Sequence, residues 1–265
     1  MTRVIGLVTD FGRADPYAGQ VEAAILAVAP RVRVIHLCHD IPRQNVALGA
    51  MVVAASASIL PSGAIVVGVV DPGVGTERRG IIVRAGGRWL VGPDNGLLLG
   101  GAAPEGVWRL DQPAYWRSEP SPTFHGRDIF APAAAHLAAY IRPEAMGTAI
   151  ADPLPAPVSL ATTDARGARG QVIHVDRFGN LITNVPAGVI ASLGDSPTIG
   201  VADSVIRGLA RTYGHGRELV ALVGSWNLLE IALPGGSAAD RLGLSAGAQV
   251  TARRGPSAFG AGASV

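Results

Sequence analysis

The stretch Ala64-Ile65-Val66-Val67-Gly68-Val69-Val70-Asp71-Pro72-Gly73-Val74-Gly75-Thr76-Glu77-Arg78 decides the fold. Its first seven residues are a continuous apolar run dominated by Val and Ile, the pattern of a strand buried on both faces. Such a strand needs a layer on each side, so it belongs to a mostly parallel sheet covered by helices. The sequence upstream agrees. Residues 4–9 and 32–38 read as further strands, and residues 16–28 and 45–60 as the helices that follow them. Asp15 is a candidate cap for the first helix, with Pro16 at its first position. Downstream, residues 80–84 and 89–91 read as a hairpin around Gly86-Gly87. Residues 128–140 form a further helix, with Asp128 as its cap and Pro143 beyond its end. Residues 1–152 are therefore expected to fold as an α/β domain.

The pattern then changes. Residues 153–169 hold Pro153, Pro155 and Pro157 and show no periodicity, so they read as a linker. Residues 170–265 offer short strand candidates at 171–175, 181–183, 198–201, 219–223, 228–232 and 249–252, separated by Gly and Asp. That spacing predicts a small antiparallel barrel or sandwich. The Gly/Ala/Ser-rich tail 255–265 is expected to fray.

Composition excludes several classes. The chain has 265 residues, 48% of them apolar and 16% charged, which rules out disorder. All 22 Lys+Arg residues are arginine, and the net charge is +2 with no basic run, so nucleic-acid binding has little support. The apolar run 46–60 is too short for a membrane span and ends at Pro61-Ser62-Gly63. No secretory signal is visible, and the lone Cys38 has no internal disulfide partner, which fits a reducing, cytoplasmic compartment.

Polar residues at the strand ends are the candidates for chemistry. Asp10 follows the first strand in Thr9-Asp10-Phe11-Gly12, where ligands of open α/β sheets gather. Asp71 ends the buried strand; the Pro-Gly-Val-Gly turn lets Arg78, seven residues later, fold back toward it. His125, in Thr123-Phe124-His125-Gly126-Arg127-Asp128, stands just before a helix. His36-Leu37-Cys38-His39-Asp40 resembles a metal site superficially. Alternation along a strand should put the two rings on opposite faces, so no metal is expected. In the second segment Asp176, Phe178 and Asn180 share one turn, suited to an amine, a flat ring and a purine edge, or simply to an Asx turn. Gly224-Ser225-Trp226-Asn227-Leu228-Leu229-Glu230 joins two strand candidates; Ser225 and exposed amides could hold a carboxylate, but taken alone the stretch reads better as an ordinary hairpin.

Taken together these motifs resemble the S-adenosyl-L-methionine hydroxide adenosyltransferases, relatives of the enzymes that attach fluoride or chloride to the same carbon. The resemblance spans Thr9-Asp10-Phe11-Gly12 to Leu229-Glu230-Ile231-Ala232, and Val70–Arg78, Pro93-Asp94-Asn95-Gly96, Phe124–Asp128 and Asp176–Asn180 are its most specific marks. It implies an N-terminal α/β domain, a smaller C-terminal antiparallel β-barrel, and a homotrimer whose sites lie between subunits. The implied substrate is S-adenosyl-L-methionine, with no cofactor, and the products are adenosine and L-methionine. It also implies that Asp71, Arg78 and His125 activate water, that Asp10 holds the ribose diol, and that Asp176 and Ser225 hold the methionine amino and carboxylate groups. Phe178 and Asn180 match adenine contacts, while Trp226 and Gln44 fall near the substrate. The halogenating relatives have a Tyr in place of Asp71 and Tyr-Ser in place of His125-Gly126, which points to hydroxide here. His36 departs from the family, which has an acidic residue there. The competing readings are halide transfer and non-catalytic binding of S-adenosylmethionine or adenosine; a generic sugar or nucleotide hydrolase would leave Asp176–Asn180 unexplained.

Overall fold

The computed structural model describes residues 3–214 and 217–255, so most of the tail expected to fray lies outside the described residues. The chain divides into two compact units, Met1–Val158 and Ser159–Val265.

In the first unit six strands form one sheet: β1 (Val4–Thr9), β2 (Arg33–Cys38), β3 (Ile65–Val69), β4 (Gly80–Ala85), β5 (Arg88–Pro93) and β6 (Pro104–Arg109). Their order is β2-β1-β3-β5-β4-β6, with the first four parallel and β4 antiparallel to both its neighbours. Every residue of β3 is buried. The reason is layering. Ile65, Val67 and Val69 pack with α1 (Tyr17–Val28) and the later helix α3 (Ala131–Ala138). Val66 and Val70 pack on the other face, with Val53 of α2 (Val46–Ile59) and Leu97. Burying a Val or Ile side chain stabilises by about 1.5–3 kcal/mol, so this strand anchors both layers.

Two caps differ from expectation. Pro16, not Asp15, occupies the N-cap of α1, and no side chain caps that helix. Asp15 stands one residue too early to reach the first free amides. Asp128 is no helix cap either; it lies inside a π-helical turn, Gly126–Phe130, that runs into α3. Asn45 does cap α2, accepting from Leu48 N at 3.0 Å. Strand β6 escaped notice because it opens with Pro-Glu-Gly, which reads as a turn.

The second unit is an antiparallel sheet of eight strands. They are β7 (Thr162–Asp164), β8 (Gly167–Val175), β9 (Leu181–Pro186), β10 (Thr198–Val201), β11 (Ser204–Arg207), β12 (Val220–Val223), β13 (Leu228–Ala232) and β14 (Gln249–Arg253). The order is β11-β10-β14-β8-β9-β13-β12, with β7 paired to β8. The stretch read as a linker thus contributes a short strand. Just past β11, Ala210 N donates to Ala221 O of β12 at 2.8 Å, which nearly closes the sheet into a barrel. Val172, Leu181, Val185, Ile199, Leu229, Ile231 and Val250 fill its interior. No helix among the described residues is long and apolar enough to cross a membrane.

Candidate active site

Parallel pairing sets Thr9 of β1 beside Val69 of β3, so the residues that follow, Asp10 and Asp71, leave the same edge of the sheet. The loop after β3 doubles back. Val74 N donates to Asp71 O at 3.2 Å, and Thr76 closes onto Gly73 O through both its amide and its hydroxyl. Arg78 thereby reaches Asp71. Its Nε donates to Oδ1 at 2.9 Å and its Nη2 to Oδ2 at 2.5 Å. Nη2 also lies 2.7 Å from Nδ1 of His125. Asp71, Arg78 and His125 form one hydrogen-bonded row.

Two loops must meet to build that row. Gly75 has φ 79°, and a Cβ there would stand 2.4 Å from Pro122 O. Only glycine combines that backbone conformation with that approach. On the other side Phe11, Tyr17 and Phe124 pack edge to face, with ring centroids 5.4–5.9 Å apart, tying the Asp10 loop to the His125 loop. Asp128, fully buried, fixes the base of the His125 loop. It accepts from Arg127 at 2.7 and 2.8 Å, from Arg117 at 3.2 Å and from Ser121 N at 2.8 Å. Burial alone would raise its carboxyl, but the Arg127 guanidinium and the other donors outweigh that and hold it below the usual carboxylate range. Pro93-Asp94-Asn95-Gly96 also braces the site. Asn95 Nδ2 donates to Val70 O at 2.9 Å, next to Asp71, and buried Asp94 pairs with Arg79.

The row fixes the state of His125. A guanidinium has only N–H donors, so Nδ1 must accept and the neutral ring carries its proton on Nε2. Burial first, then the charge of Arg78, push the His125 pKa below its ordinary value.

Asp10 Oδ2 accepts from Gln44 N at 2.8 Å, and Oδ1 accepts no hydrogen bond among the described residues. Below this loop the two histidines of the 36–40 segment meet, contrary to the alternation argument. A register shift lets Leu7 pair with His36 and Val8 with Cys38, skipping Leu37, and His39 lies past the strand end. His36 Nδ1 and His39 Nε2 are 2.7 Å apart. His39 Nδ1 meets Thr9 Oγ1 at 2.8 Å, and His36 Nε2 meets Glu22 at 3.1 Å. No group of three or more His, Cys, Asp or Glu among the described residues is arranged to hold a metal ion.

In the second unit Asp176, Phe178, Asn180, Ser225 and Trp226 all line one open cavity of about 640 Å³. The Asx turn is real: Asp176 Oδ1 accepts from Phe178 N at 2.8 Å and Asn180 N at 2.9 Å, and Oδ2 from Asn180 Nδ2 at 3.0 Å. Phe178 is 77% exposed on its tip. Trp226 stacks on His174 with an interplanar angle of 4°. Sequence reasoning missed two lining residues, His174 and Tyr213, and gave a third, Glu230, no role. The signal for Glu230 was present: it is the one charged residue in the buried strand Leu-Leu-Glu-Ile-Ala.

Comparison with known proteins identifies the family. Residues 5–147 match the SAM hydroxide adenosyltransferase N-terminal domain, and residues 170–251 match the C-terminal domain. The (R)-S-adenosyl-L-methionine hydrolase of Thermus thermophilus is 40% identical over 94% of this chain and 98% of that protein. A fluorinase of Nocardia brasiliensis is more distant, 26% identical over 72% of this chain and 74% of its own. The crystal structure of a conserved Thermotoga maritima protein superposes with a TM-score of 0.86 at 28% identity, covering 94% of this chain and all of that one. Both halves of the chain match in order, and the chain belongs to the SAM hydroxide adenosyltransferase family.

Proposed function

We propose that this chain is an enzyme that hydrolyses S-adenosyl-L-methionine to adenosine and L-methionine. Water attacks C5′ of the ribose in line with the departing thioether. The proposed substrate is the (R) epimer, the form named for the Thermus relative. The observation that carries this reading is the hydrogen-bonded row of Asp71, Arg78 and His125.

A sulfonium leaves without acid assistance, so the nucleophile is the difficulty: bulk water has a pKa of about 15.7. Three functions are needed, and the row supplies them. The Arg78 cation favours hydroxide. His125, with Nδ1 occupied by Arg78, donates from Nε2–H and orients the water oxygen. Asp71 retains lone pairs beyond those Arg78 uses and takes the proton. Water and a substrate of net charge +1 give neutral adenosine, zwitterionic methionine and one proton, which balances. Holding the water in line is worth roughly 7–11 kcal/mol.

Asp10 is assigned to the ribose diol, with Gln44 beside it. In the second unit Asp176 and Ser225 take the amino and carboxylate groups, Phe178 and Asn180 the adenine, and Trp226 a flanking wall. The reaction as written consumes only water, so we place it without a cofactor. We assign it to the cytoplasm and to a homotrimer in which the first unit of one protomer faces the second unit of its neighbour.

Incubation with S-adenosyl-L-methionine, followed by chromatography of the products, tests the reading. Adenosine and methionine in equal amounts, unaffected by added chloride or fluoride, is the expected result. A 5′-halogenated deoxyadenosine would assign the chain to halide transfer instead, and bound substrate without product would make it a binding protein.

A further inference from the structure

The cavity of the second unit contains two carboxylic acids whose situations differ. Asp176 accepts three hydrogen bonds within its own turn. Glu230 rises from the middle of β13 and is only 5% exposed, yet it lines the same cavity. Its one hydrogen-bond donor among the described residues is Tyr213, whose hydroxyl meets Oε1 at 2.9 Å. Oε2 lies against the turn before Trp226: a Cβ on Gly224 would stand 2.1 Å from it. That glycine leaves the carboxyl its place against the turn. No arginine is among the described residues lining the cavity, and the chain has no lysine.

A carboxyl removed from water without a cation is costly. Burial, partly opposed by the Tyr213 hydrogen bond, and the nearby charge of Asp176 push the Glu230 pKa up. Burial and Glu230 in turn push Tyr213 to about 12. Among the described residues, then, the cavity gives Glu230 no arginine or lysine partner. The substrate offers two positive charges. Its sulfonium has no N–H and must face the attacking water. Its α-ammonium has three donors, and a carboxylate oxygen lying against Gly224 in the same cavity is what such a donor needs.

We propose that Glu230, seated by Tyr213, is a specificity-determining residue that binds the α-ammonium group of the substrate's amino-acid end together with Asp176. The inference rests on the S-adenosyl-L-methionine reading, and it extends that reading to two residues that the proposed function gives no role. It makes the amino-acid end, beyond the nucleoside, a condition of tight binding.

The test compares Glu230→Gln with the unaltered enzyme in two assays: KM and kcat for S-adenosyl-L-methionine, and the Kd of adenosine, which lacks the ammonium. Glu230→Gln is expected to raise KM at least tenfold, with kcat within threefold and the adenosine Kd within twofold. An unchanged KM overturns the inference. So does an equal loss for both ligands, which would mean that Glu230 only shapes the cavity. Should Glu230→Gln fail to fold, Tyr213→Phe replaces it; it leaves the charge but frees the carboxyl, and a rise in KM of about threefold without change in adenosine binding is expected. The same value for both ligands would overturn the inference. Turnover by the unaltered enzyme reads the underlying function separately: if it forms no adenosine, the hydrolase reading fails, and this inference with it.

Discussion

In the first unit Asp71 and Arg78 are 5% and 11% exposed and face each other in a two-point ion pair. In the second, Glu230 is as deeply buried and has a phenol for its partner. Both are acids at cavity or loop positions in the same chain, yet one charge is cancelled before any ligand arrives and the other is not. The difference follows from the tasks proposed for them. A group that activates water must be held in place and ionised beforehand, because reorganisation during the reaction adds to the barrier. A group that binds a cation gains by waiting for it. Buried charge in the first unit is thus part of the fold, and in the second part of the binding energy.

The largest effect on stability should come from breaking the cancelled pair. Arg78→Met removes the donor to both Asp71 and His125 and leaves Asp71 buried alone. We expect turnover to fall by about 10²–10³ and stability by about 3–5 kcal/mol. Rates and urea midpoints measured together check this; a variant of normal stability would mean that Asp71 does not depend on the pair. Asp71→Asn keeps the shape but not the base, so kcat should fall by about 10²–10⁴ with KM within threefold. A selective rise in KM would move Asp71 to substrate binding.

Gly75→Ala sharpens the comparison differently, since it touches no charge. It forces a side chain into φ 79° against Pro122 O, so a stability loss of about 1–3 kcal/mol and a fall in kcat are expected together. Loss of stability with kcat unchanged would show that the two loops need not meet. Acid should act on the first unit through His125. Its pKa lies below the ordinary 6.5, so the unfolded chain takes up the proton first. The neutral ring's contribution is complete above 6.5 and is lost as pH falls through the lowered value, and kcat should fall with it. A pH–rate profile whose acid limb falls at or above pH 6.5 would contradict this. The smallest structural effect belongs to Phe178→Ala. A ring 77% exposed should change stability by under about 0.5 kcal/mol, while substrate KM rises. A large drop in melting temperature would show the ring to be structural.

Much of this was legible in the sequence. The strand Ile65–Val69 announced itself because continuous Val and Ile admit few other readings, and β1, β10 and β13 fell where their apolar runs stood. Asp71 and Arg78 could be paired from spacing alone, because a glycine-rich turn brings seven-apart residues back together. His125 could not; its contact depends on Gly75 meeting Pro122 and on an aromatic cluster assembled from three separate segments. The meeting of His36 and His39 was hidden because a one-residue register shift reverses the faces of a strand. Tyr213 was silent, since a tyrosine in a polar loop carries no periodicity. Its meaning appears only once Glu230, 17 residues later, is found beneath it.

The central claim is that water, activated by Asp71, Arg78 and His125, attacks C5′. The most direct measurement is incubation of the purified protein with S-adenosyl-L-methionine in ¹⁸O-labelled water, read by mass spectrometry. The account predicts adenosine labelled at its 5′ oxygen, equimolar methionine, and loss of both in His125→Ala. Unlabelled adenosine, or product formation undiminished in that variant, would contradict it.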